Sequence, residues 1–161
     1  MNLFYEIPDY PELVSGTSVL VRLIDGLGFR FHWSTEGLRD KDYTFRPAHD
    51  CMSIEELVRH IWRLVNRVCQ SMKLNEVQEE DDIYLVRKRI LEMTNALRVK
   101  LLSMSDEELA AIQIRELPFW YIVNGPIADA LTHVGQINSF RRLAGNPTMK
   151  ASMFRGLPPK D

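Results

Sequence analysis

The chain has 161 residues, 45% hydrophobic and 26% charged, which is the size of one domain and enough to bury a core. Its 20 basic and 22 acidic side chains leave a net charge of −2, without the basic excess of a duplex nucleic-acid binder. No apolar run approaches the roughly 18 residues of a membrane-spanning helix, and the opening MNLFYEIPDYPE has neither the basic nor the apolar region of a signal peptide. A single soluble, cytoplasmic domain over residues 1–161 is expected, with no nucleic-acid or membrane partner. Cys51 and Cys69, the only cysteines, form no C-x-x-C motif and are expected to be reduced.

Four apolar-periodic segments follow in chain order. The first runs from about Pro11, a residue suited to a first helical position, to about Trp33, with Leu13, Val14, Val19, Leu20, Leu23, Ile24 and Leu27 at helical spacing. A polar loop is expected from about Ser34 to Met52. The second helix opens at Ser53-Ile54-Glu55-Glu56, the pattern of a capping box, and carries Leu57, Val58, Ile61, Leu64, Val65 and Val68 on one stripe to near Lys73. Arg59, Arg63 and Arg67 recur on this helix as a solvated face.

The acidic run Glu79–Asp82 precedes a third helix, about Asp82 to Ser103. Ser105-Asp106-Glu107-Glu108 is a second capping box and opens a short helix to about Ile112. The last helix spans about Phe119 to Ala144 and stops at Gly145 and Pro147. Gly125-Pro126 interrupts it, as a kink or as a true start at Pro126 capped by Asn124. The Gly/Pro-rich tail from Thr148 is expected to be non-helical. Without sustained alternation of period two, no sheet is expected. Four amphipathic helices bury their stripes against one another, so the fold class is all-α, a four-helix bundle.

One segment places polar chemistry against that core. Asp129 and His133 are i, i+4 neighbours on or beside the stripe of the last helix. A carboxylate buried there needs a partner, because desolvating it alone costs several kcal/mol. A metal ion is one solution, since a carboxylate and an imidazole at this spacing can hold it together with a third ligand from a facing helix. His60 on the second helix is the best placed; His32 and His49 are the others. A buried Asp–His ion pair or hydrogen bond is the alternative.

The segments SIEELVRHIWRLVNRV (53–68) and NGPIADALTHVGQINSFRRLAGNP (124–147), with the preceding loop FRPAHD, resemble the DinB-like (YfiT-like) superfamily of small bacterial bundles. In that superfamily a histidine of the second helix and an H-x-x-x-H pair of the last helix bind divalent nickel or zinc. The resemblance implies that His60, Asp129 and His133 hold the metal. Asp129 stands where the family has histidine, a change that keeps a workable ligand set and admits iron as well. It further implies a hydrolase or a low-molecular-weight-thiol-dependent transferase acting on a small molecule, and a homodimer. The alternative is a non-catalytic bundle that binds a metal or ligand. Asn124 and Gln136 are expected to orient ligands or substrate, with Trp120, Arg30 and Glu36 as weaker candidates.

Overall fold

The computed structural model describes residues 2–160. The elements are α1 (Gly16–Thr35), α2 (Asp40–Tyr43), α3 (Ile54–Ser71), α4 (Ile83–Leu102), α5 (Asp106–Ala110), β1 (Gln113–Ile114), β2 (Leu117–Pro118), α6 (Trp120–Ile122), a π turn (Val123–Ile127) and α7 (Ala128–Leu143).

Capping chemistry sets the helix starts. Ser53 Oγ accepts from the Glu56 amide while the Glu56 carboxylate accepts from the Ser53 amide, and Ser105 and Glu108 repeat the arrangement. α1 begins at Gly16, later than the expected Pro11. Ser15 and Ser18 cap each other reciprocally, and the Asp106 carboxylate accepts from the Gly16 and Thr17 amides across 90 and 89 residues of chain. Leu13 and Val14, assigned by periodicity to the core, are 78% and 90% exposed. The correction has a physical cause: orphan amides are satisfied at Ser15 by two sources and at Pro11 by none.

The expected polar loop after α1 contains α2 and buries Leu38, Asp42 and Tyr43. A small sheet also departs from expectation. β1 and β2 pair antiparallel across Arg115 and Glu116, both with positive φ, which is the geometry of a type I′ hairpin turn. The interruption expected at Gly125-Pro126 takes the form of a π turn, and the last helix does not start at Pro126 with Asn124 as its cap. α6, the π turn and α7 run on, with Pro126 inside the π turn, where the wider helix removes the need for its missing amide.

The four long helices form a ring in the order α1, α4, α3, α7. α4 is antiparallel to α1: Arg87, near its start, donates to Thr35 at the end of α1, and Arg98, near its end, pairs with Asp25 in the middle. α3 and α4 are parallel, with Cys69 Sγ against the Met93 carbonyl. α1 and α7 are also parallel and tied at their ends, where Arg141 donates to the Ser34 and Glu36 carbonyls. Two parallel pairs thus pack against each other in opposite directions around a core that includes Phe29, Phe31, Ile61, Ile90 and Ile137. Cys51 and Cys69 are free thiols, and burial pushes the Cys69 thiol up to about 12. No helix among the described residues is long and apolar enough to cross a membrane.

Candidate metal centre

On α7 the buried stripe is Ala130, Val134, Ile137 and Arg141, with Ile127 just before them. It runs along the Val134 side of the helix, with Phe140 only partly buried. Asp129 and His133 lie on the shoulder of the helix that faces α3. His60 lies on the matching shoulder of α3, so antiparallel packing sets the three side chains level across the α3–α7 seam.

The geometry is convergent. His60 Nε2 lies 3.3 Å from Asp129 Oδ2, and His133 Nε2 lies 3.3 Å from Asp129 Oδ1. The two imidazole rings meet edge to face, with centroids 4.7 Å apart and planes at 90°. One ligand atom from each of the three residues lies within 4.8 Å of the others. Donor atoms on a tetrahedral zinc with bonds of about 2.0–2.1 Å lie roughly 3.3–3.4 Å from one another. Each nitrogen–oxygen separation is of that size, although the two run to different oxygens of the Asp129 carboxylate, and the full donor set, within 4.8 Å, is close enough to be gathered onto one divalent ion.

The tautomer of His133 points the same way. Its Nδ1 lies 2.7 Å from Gln136 Oε1, so Nδ1–H donates to that carbonyl oxygen. In the neutral ring Nε2 then presents a lone pair to a carboxylate oxygen, and two acceptors face each other. A cation or a proton between them removes the conflict. Gln136, expected to orient a ligand, supplies the acceptor for the second ring nitrogen.

One expectation is corrected here. Asp129 is not a buried carboxylate: its side chain is 45% exposed, against 30% for His60 and 14% for His133. The cluster sits at the rim of the bundle, and desolvation does not compel a partner for Asp129. The case for an ion rests on convergence instead.

The remaining candidates separate. His32 is buried beneath Tyr5 and Trp33, and neither ring nitrogen makes a hydrogen bond of ordinary geometry. Burial lowers its pKa, and the nearby Arg87 cation lowers it further. His49 is exposed in the loop before α3. Neither joins the cluster. Glu36 is held by Arg87, and Trp120 is 68% exposed beside an apolar groove that it shares with Val19, Leu23 and Leu109. Arg30 is half-buried on α1. Asn124 lies in the π turn and lines a cavity that reaches Asp129. Arg67 lines the same cavity, although its ladder reads in the sequence as a solvated face. The missed signal is its spacing of seven residues from His60, which puts both on one face of α3.

No protein-family model matches the chain, and no curated protein matches it. Among solved structures, the crystal structure of a DinB-like protein, YjoA from Bacillus subtilis, is similar with a TM-score of 0.60 at 18% identity, over 77% of this chain and 92% of that one. The chain therefore has the DinB-like fold, a helical bundle.

Proposed function

We propose that the chain is a divalent-metal-dependent enzyme acting on a small molecule, as a hydrolase or as a transferase that uses a low-molecular-weight thiol. His60, Asp129 and His133 are its metal ligands. The observation that carries this reading is the approach of two imidazole Nε2 atoms to one carboxylate at 3.3 Å each, on a rim open to water. Three protein ligands with an open side distinguish a catalytic site from a closed structural one. A bound divalent ion supplies Lewis acidity, which makes a water or a thiol nucleophilic near neutral pH. The protein's own part is to hold the two rings edge to face, to fix the His133 tautomer through Gln136, and to leave the Asp129 side reachable. Two nitrogens and a carboxylate suit zinc or nickel, with iron as the third option. The cytoplasmic location and the homodimer belong to the same proposal.

The test is metal content by mass spectrometry of untagged protein prepared without chelator, beside His133→Ala. About one ion per chain is expected in the wild type and a loss of most of it in the variant. A wild type that stays empty after incubation with zinc or nickel overturns the metal reading. Metal that persists unchanged in His133→Ala overturns the ligand assignment. A screen of small esters and amides, and of small thiols with an electrophilic acceptor, then separates the enzyme from a bundle that only binds metal. Turnover that disappears in His133→Ala is the expected result, and its absence across the screen favours the binding protein.

A further inference from the structure

The π turn opens a groove beside the three convergent residues. A cavity of about 380 Å³ lies along the α3–α7 seam, with Leu64 and Arg67 on one wall and Asn124, Pro126, Asp129 and Thr132 on the other. Asp129, the member of the convergent trio that lines the cavity, stands with Thr132 at one end. Because the helices are antiparallel, Arg67, seven residues beyond His60, and Asn124, five before Asp129, meet toward the other. The rise of a helix puts Arg67 roughly 10 Å from His60 along the α3 axis. At Gly125 the wall faces open space, since a Cβ there would meet nothing within 4 Å.

Arg67 is unlike the other end of its ladder. Arg59 is tied down by Glu55, Glu79 and the Glu80 and Asp81 carbonyls. The Arg67 guanidinium makes no hydrogen bond or ion pair among the described residues, and its carbonyl only accepts from Ser71. A second cavity on its far side is lined by Lys73 and Arg115, so the ground around it is cationic. A free guanidinium beside a side-chain amide presents a planar set of donors that matches a carboxylate.

We propose that this groove is the substrate arm of the metal centre and that Arg67, with Asn124, receives a carboxylate at its far end. The inference rests on the metal reading above. It makes the substrate a small molecule with its reacting group at one end and a carboxylate roughly 10 Å away, and it excludes substrates with an apolar or cationic tail.

The experiment uses the full chain loaded with cobalt, whose thiolate charge-transfer absorption reports a thiol at the metal. The probes are ω-mercaptohexanoate, whose extended length suits the span, and ω-mercaptohexanol, which lacks the charge. The wild type is expected to bind the acid about tenfold more tightly than the alcohol, the size of one charge-assisted hydrogen bond in a half-open site. Arg67→Gln should bring the two affinities together while leaving that of the alcohol in place, and Arg67→Lys should keep part of the preference. Equal affinities in the wild type, or a preference that survives Arg67→Gln, overturns the proposal. A failure of the metal reading looks different: no cobalt absorption with either thiol. The metal-free protein titrated with adipate then decides. Shifts of the Asn124 and Thr132 amide resonances that vanish in Arg67→Gln uphold the carboxylate site, and their absence in the wild type overturns it.

Discussion

Asp129 and His32 are both polar residues that the sequence sets against an apolar stripe, and their fates differ. Asp129 is nearly half exposed and shared between two rings, whereas His32 is 1% exposed and neither nitrogen has a hydrogen bond of ordinary geometry among the described residues. Desolvation disfavours the protonated ring of His32 in the fold, so its folded pKa lies below the unfolded value of about 6.5. Arg87 opposes the protonated ring and Glu36 favours it. Below pH 6.5 the unfolded chain binds a proton that the folded chain resists, so stability is complete above that pH and falls as the solution is acidified toward the folded pKa. Urea unfolding between pH 7.5 and 5 should show a decline in stability of at most about 1.4 kcal/mol per pH unit for this one proton. His32→Leu should remove that component, and an unchanged slope in the variant would refute the assignment. Nothing in the local sequence separates these two residues. Both sit at helical positions near the stripe, and only the covering chain, Tyr5 over His32 and nothing over Asp129, decides which is sealed.

At the scale of elements, capping boxes were the most legible feature. Ser53 and Ser105 both form the reciprocal bonds that their tetrapeptides encode, because all the atoms involved lie within one turn. Ser53→Ala should cost about 1 kcal/mol, read as a lower urea midpoint at constant m-value. A change below about 0.3 kcal/mol would mean that Arg46, which also pairs with Glu56, holds the helix start by itself. The start of α1 was less legible. Half of its cap is the Asp106 carboxylate, which arrives from 90 residues away and leaves no trace in the local pattern. Gly125-Pro126 marks an irregularity in the sequence, but the π turn that forms there packs against α3. Periodicity counts at 3.6 residues per turn and does not foresee a wider turn that spares the proline.

The whole molecule is closed by Arg141. It is 2% exposed, and its guanidinium donates to the carbonyls of Ser34, Glu36 and Asn146, joining the ends of α1 and α7 to the following turn. Burial lowers its pKa, and the interaction with Asp42 offsets part of that. Arg141→Met keeps much of the volume and strands those carbonyls, so a loss of about 3 kcal/mol is expected from denaturant unfolding. A loss below about 1 kcal/mol would show that water replaces the guanidinium there. In the sequence Arg141 reads as a cation favoured in a last helical turn, which is true of its position and silent about its burial.

The sequence by itself determined the all-α class, the extent of α3 and α4, the caps at Ser53 and Ser105, and the pairing of Asp129 with His133, while it left His60, His32 and His49 open as the third member. These follow from apolar period, short-range capping bonds and the i, i+4 spacing of Asp129 and His133, all of which are local. The tertiary structure decided the ring order of the helices, the buried face of α7, the exposure of Asp129 and the groove that joins it to Arg67. Each of these depends on how side chains far apart in the chain pack together, and one helix's pattern constrains which face is buried only to within a few tens of degrees. That margin separates a carboxylate sealed in the core from one set at its rim.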